Sequence, residues 1–235
     1  MKDLFILLLA AHAYGDFLLQ SDWMAREKGR LPVLLLHVLI HGALAYVLVQ
    51  QWGWWQVPLG VVALHLLIDG IKNRCPGGPT AFAVDQAAHV LSLAVISWAA
   101  THPLGLTFDV AGVWGFQWIV LGAGLSAAVL GAGHFIREVA ERMTDSDEAL
   151  REALQNGVPG GGAQIGRLER ALIFILLGIG QPAGIGFLIA AKSILRFEEA
   201  KRQKLAEYVL IGTLWSFSLA IVLAWLTLTA IDALP

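Results

Sequence analysis

Long apolar runs alternate with short polar breaks along this chain. Runs of about 20 residues, enough for a helix to cross roughly 30 Å of hydrocarbon, recur near 3–21, 31–50, 55–73, 80–101, 112–135, 168–197 and 206–230. They are too long for strands and rich in Leu and Ala, so each predicts a helix. The sixth is interrupted at "GIGQPAGIG", where a proline lacking an amide proton sits among glycines. A membrane helix can break there if protein covers the exposed backbone. The one sizeable polar segment opens as an acidic amphipathic helix and ends in "NGVPGGGAQIG". It lacks the preceding strand and Gly-Lys-Ser/Thr ending of a phosphate loop, so it reads as a flexible connector. The expected fold is all-α integral membrane: a polytopic helical bundle of six or seven spans, the sixth broken or re-entrant. Its parts are a four-helix membrane bundle (1–103), a fifth span (104–135), a cytoplasmic connector (136–167) and C-terminal membrane helices (168–235).

Each of the first four helices carries one polar pair at a spacing of four: His12 and Asp16, His37 and His41, His65 and Asp69, Asp85 and His89. That spacing stacks both side chains on one helix face. The pairs of helices one and three lie toward their carboxyl ends, and those of helices two and four toward their amino ends. In an alternating bundle all four therefore meet at one depth. An aspartate in a bilayer costs about 2.5–3.5 kcal/mol even on the mildest scale, so three aspartates among five histidines need a purpose. We expect a metal site. Imidazole and carboxylate without thiolate suit zinc, iron, manganese or nickel, and eight donors exceed what one ion uses. Two divalent ions are expected, zinc first, in a dinuclear centre of the kind helical bundles hold.

Two such ions can acidify a bridging water and neutralise the attacking and leaving oxygens of a phosphoester. Asp16, Asp69 and Asp85 are the catalytic candidates, because one could leave the metal to act as general base. Gln20, Lys28, Lys72 and Gln86 lie within a turn or two of the pairs, placed to bind an anionic substrate group or to fix the ligands. A lysine so placed more commonly serves as an anchor reaching for the membrane boundary.

Composition agrees with a bilayer environment: 57% of the 235 residues are hydrophobic and mean hydropathy is +0.67. A net charge of -2 without a basic run gives nucleic acid no purchase as a partner. The single cysteine, Cys75, forms no internal disulfide and no thiolate zinc site. Arg26, Lys28 and Arg30 follow the first span, Lys72 and Arg74 the third, and Arg137, Arg142 and Arg151 the fifth, whereas "QQWGWWQ" and "THPLGLTFDVAG" carry no Lys or Arg. The positive-inside rule then sets the amino terminus outside, with the metal layer near the cytoplasmic face. Trp52, Trp54, Trp55 and Trp114 fall at the outer interface. The first run resembles a secretory signal ending at Ala11-His12-Ala13, but cleavage would discard His12, so a retained span is expected.

Other polar residues carry less. His134 and Glu138 repeat the spacing at the membrane edge, where charge is inexpensive, and read as solvated surface. His102 lies in an outer loop and receives no role, and Trp23 reads as an interfacial anchor. Arg167, Glu169, Arg170, Lys192, Arg196, Glu198 and Glu207 crowd the cytoplasmic boundary, fit for ion pairs that seat the connector or for contacts with anionic headgroups. Gly178, Gly180, Gly184 and Gly186 fit close helix packing.

The runs "HAYGDFLLQSDWMAREK", "LLLHVLIHG", "HLLIDGIK" and "DQAAH", followed by "GRLERALIFILLGIGQPAGIGFLIAAKSILRF" and "AEYVLIGTLWS", resemble an uncharacterised bacterial integral-membrane family, domain of unknown function 3307, over nearly the whole chain. That resemblance implies no activity. The His-xxx-Asp and His-xxx-His pairs, at His12 with Asp16, His37 with His41 and His65 with Asp69, are similar to those of inner-membrane proteins designated metal-dependent hydrolases, and remotely to zinc-dependent phospholipase C. The likeness implies hydrolysis. The leading expectation is a membrane-embedded metal-dependent hydrolase acting on a phosphoester, lipid-linked or phosphorylated small-molecule substrate at the cytoplasmic leaflet. Alternatives are a membrane di-iron lipid oxidoreductase, a divalent-metal transporter, and a partner subunit using metal as a staple.

Overall fold

A computed structural model describes residues 1–145, 147–148, 150–151, 158, 160–195 and 203–232. Among them every regular element is helical and no strand occurs. The elements are α1 (Lys2–Ala13), a π-helical turn (Tyr14–Leu19), α2 (Asp22–Glu27), α3 (Leu31–Val49), α4 (Gln56–Lys72) and α5 (Pro79–Thr101). There follow a 3-10 turn (Val110–Gly112), α6 (Phe116–Ser126), a second π turn (Ala127–Gly131), α7 (Ala132–Asp145), α8 (Gly161–Gly178), α9 (Ala183–Leu195) and α10 (Gln203–Asp232). Arg196, Glu198 and residues 152–157 of the expected connector lie outside the described residues.

Local chemistry sets several boundaries. Proline stands in the first turn of both α3 and α5, where its missing amide proton leaves no helical bond unmade. The short α2 was not expected from the apolar pattern; the Ser21 side chain caps it by accepting from the Met24 amide at 3.2 Å, satisfying a donor that would otherwise be orphaned. The sixth apolar run divides into α8 and α9 at Ile179–Pro182, where the Gln181 amide turns back to the Leu176 carbonyl at 2.7 Å.

Among the described residues, four helices are long and apolar enough to cross a membrane: Leu31–Val49, Pro79–Thr101, Phe116–Asp145 and Gln203–Asp232. Two of them bury polar residues while large apolar side chains face outward. In α3, His37 and His41 are buried while Leu35, Leu36 and Leu39 are exposed; in α5, Asp85 and His89 are buried while Val84, Leu91 and Val95 are exposed. A polar interior behind an apolar exterior is the arrangement that hydrocarbon solvent demands.

The chain forms two compact units, Met1–Ser126 and Ala127–Asp232. In the first, α1 packs against α3, α5 and α6, and α4 lies between α3 and α5, around a core that includes Leu4, Leu7, Leu8 and Val38. The Tyr14 hydroxyl donates to the Ile119 carbonyl at 2.9 Å, tying the π turn to α6. In the second unit α10 packs against α7 and α8, over a core of Ile173, Ile185, Phe217 and Ala220.

Candidate metal centre

The polar layer is assembled from the ends of four helices that run alternately. His12 lies in the last turn of α1, Asp16 sits in the π turn, His37 and His41 lie before and just past the middle of α3, His65 and Asp69 in the second half of α4, and Asp85 and His89 in the first half of α5. All eight residues are at most 7% exposed.

Asp16 is the hub. Its Oδ1 lies 3.2 Å from the Nε2 atoms of His37 and His41 and 3.8 Å from that of His65. Its Oδ2 accepts from the Gln86 amide at 3.1 Å and stands 3.6 Å from His12 Nε2. Asp69 mirrors it: Oδ2 lies 3.4 Å from His37 Nε2 and 3.5 Å from His65 Nε2, while Oδ1 is 4.0 Å from His89 Nε2. The Nε2 atoms of His37 and His65 are only 3.2 Å apart. Two neutral imidazoles can approach so closely through a shared proton or through lone pairs turned toward one cation. His89 decides for lone pairs at its own position. Its Nδ1 donates to the Asp85 carbonyl at 2.9 Å, and a carbonyl only accepts, so the free lone pair is on Nε2 and faces the layer.

Asp16, His37, His41 and His65 each offer one ligand atom, and these lie within 4.8 Å of one another; His65, Asp69 and His89 form a second such group. Buried His and Asp of the chain could therefore hold a metal ion. The hydrogen-bond accounting points the same way. Asp16 Oδ1, Asp69 Oδ1, His41 Nε2 and His89 Nε2 are buried without a well-formed hydrogen bond, and a buried acceptor left unmade costs about 1–3 kcal/mol. A cation at their focus would satisfy them together.

The remaining expected site residues surround this focus. Asp85 stands outside both groups and bonds Lys72 Nζ and Gln86 Nε2. His12 accompanies it, with Nε2 3.2 Å from the Gln86 side-chain oxygen. Lys28 is 8% exposed and does not reach for the membrane boundary: its ammonium pairs with Asp69 at 2.8 Å and donates to Gln20 at 3.2 Å. Three carboxylates thus face two ammonium groups, leaving one negative charge uncompensated while the imidazoles are neutral. A buried charge of that kind calls for a cation. His102 is exposed and stacks on Trp98, and Trp23 is exposed.

Three contributors were not evident from the sequence. Gly15 lies flat beneath the His41 imidazole, whose ring atoms occupy the place a Cβ would take. The π turn widens the backbone where Asp16 enters, and such turns recur at functional sites. Asn73 donates to the Lys28 carbonyl at 3.0 Å, holding the segment that delivers Lys28. A glycine preceding an aspartate at a helix end was the one visible hint.

No curated protein and no solved structure matches the chain. Residues 4–140, more than half of the chain, match the family described as "Protein of unknown function (DUF3307)", and the chain belongs to that family.

Proposed function

We propose that this protein is a membrane-embedded metal-dependent hydrolase acting on a phosphoester or another lipid-linked bond at the cytoplasmic leaflet of a bacterial inner membrane. The supporting observation is the convergence of two histidine-carboxylate sets in one dry layer. His65 has one Nε2 lone pair and serves one ion. Two ions are held together when Asp16, His37 and His41 take the first and His65, His89 and Asp69 the second. Each would then be held by two imidazoles and one carboxylate, a three-residue protein ligand set of the kind catalytic rather than structural zinc uses. Zinc is our first choice; bound in this way it would supply an activated water and Lewis acidity.

The chain's own groups then have distinct tasks. Asp16 and Asp69 balance charge and orient imidazoles across the layer. Gln86 bridges Asp16 and His12 and fixes the outer wall. Lys28 and Lys72 pair with Asp69 and Asp85, and the Lys28 ammonium can turn to a substrate anion when Asp69 binds metal. In this reading α1 with its π turn, and α4, cross alongside the four longer helices. The amino terminus is outside, and α8 with α9 is a broken or re-entrant stretch, for six or seven spans in all.

Elemental analysis of protein purified without added metal is the first test. We expect about two zinc ions per chain. His65→Ala should lose both the metal and the turnover of a phosphoester substrate while keeping its helical content. Metal-free wild-type protein with intact structure overturns the proposal. Two histidines with one carboxylate are also the ligand set of non-haem iron, which favours a di-iron lipid oxidoreductase as the second reading. Iron in the analysis with iron-dependent oxygen consumption would establish it. Metal flux into sealed vesicles would indicate a transporter.

A further inference from the structure

The second unit contains a cavity of about 300 Å3, walled by α7, α8, α9 and α10. Among the described residues its charged lining is one-sided: Arg137, Arg167, Arg170 and Lys192 with one carboxylate, Glu169. Lys192 binds that carboxylate at 2.6 Å. None of the three arginines meets a carboxylate among the described residues.

Arg170 is the unusual member, because it is only 4% exposed and its hydrogen bonds go to neutral groups alone. Its Nε and Nη2 donate to the Val129 carbonyl at 3.1 and 2.7 Å, and its Nη1 donates to the Ser216 hydroxyl at 3.1 Å. A guanidinium has five N–H donors, so two remain. Glycines on two helices make room for it: a Cβ at Gly133 would stand 2.7 Å from Nη2, and one at Gly166 would stand 3.0 Å from Nη1. A buried guanidinium that no carboxylate pairs with directly is costly, and here it lies in a slot that opens on a cavity. Arg137 and Arg167, both exposed, stand at that cavity's rim.

Depth narrows the ligand. The cavity is bordered by the carboxyl-terminal half of the candidate span Phe116–Asp145 and the amino-terminal half of the candidate span Gln203–Asp232. Both segments lead to the polar membrane boundary, where phosphate headgroups lie. Tyr208, in the second turn of α10, lines its end toward that boundary, an aromatic residue of the kind favoured at that depth.

We propose that this cavity binds a phosphate-bearing anion, with Arg170 at its base and Arg137 and Arg167 closing on the oxygens. Guanidinium groups suit this ligand because their paired N–H donors match phosphate geometry. A phospholipid headgroup and free phosphate share the chemistry, and the experiment separates them.

The full chain in detergent is titrated, by native mass spectrometry, with phosphatidylglycerol, with zwitterionic phosphatidylcholine and with inorganic phosphate. Arg137→Gln/Arg167→Gln is compared with wild type, and thermal unfolding verifies the fold; both residues are exposed, so the double variant should keep it. We expect phosphatidylglycerol to bind at least about tenfold more tightly than phosphatidylcholine, and the double variant to lose about tenfold. Displacement of the lipid by inorganic phosphate identifies the free anion as a ligand of the same site. Equal retention of both lipids, unchanged binding in the double variant, or no binding of any of the three overturns the proposal. Arg170→Lys, which keeps the charge and loses the fork, should weaken binding further; if it does not fold, the double variant still decides.

Discussion

At the scale of single residues, the layer depends on groups that leave no slack. Gly15 is one, since the His41 ring fills the space of any Cβ there. Gly15→Ala must displace the ring that Asp16 faces at 3.2 Å. We expect a loss of about 1–3 kcal/mol from overpacking together with reduced metal content, measured by thermal unfolding and elemental analysis. An unchanged metal content would show that His41 is not a ligand. Asp69 is another. Removing its charge strands the Lys28 ammonium in an apolar wall, and breaking a buried pair costs about 3–5 kcal/mol. Asp69→Asn should therefore be strongly destabilised in urea unfolding. Asp69→Asn/Lys28→Met should recover most of the stability but not the metal, separating the ion pair from the ligand.

At the scale of elements, helix ends and close crossings carry the site. The π turn at Tyr14–Leu19 is held by Tyr14 against α6, and it presents Asp16 where a regular helix would turn the carboxylate elsewhere. The α3–α4 crossing is as tight: Gly42, next to His41, faces the Val62 side chain of α4 with no room for a larger residue. Gly42→Leu should push α4 outward and carry His65 and Asp69 away from His37 and Asp16. We expect metal occupancy to fall severalfold although every ligand is present, read by elemental analysis beside the helical circular dichroism signal. Full occupancy in this variant would mean that the crossing does not set the ligand geometry.

For the whole molecule, the orientation reading can be tested through Cys75, the single cysteine, which is exposed between α4 and α5. If the basic breaks face the cytoplasm, a membrane-impermeant maleimide should leave Cys75 unlabelled in intact cells and label it after permeabilisation. Labelling of intact cells would invert the topology and put the polar layer near the outer face.

The apolar pattern was sufficient for an all-helical membrane chain, because a run of some 20 apolar residues has few alternatives in a bilayer. The spacing of the four pairs was equally legible, since helical periodicity puts residues four apart on one face whatever surrounds them. Alternation of the helices then brought the pairs to one depth. Partnership was not legible. That Asp16 rather than Asp85 faces four imidazoles, that Lys28 turns inward to Asp69, and that Gln86 bridges Asp16 and His12 are outcomes of side chains from different helices competing for one small volume. The π turn, the ring over Gly15 and the slot that receives Arg170 belong to the same class. Which faces are polar was readable from the order of residues, because that depends on local geometry; which polar atoms meet was settled by the fold, because that depends on packing between segments distant in the chain.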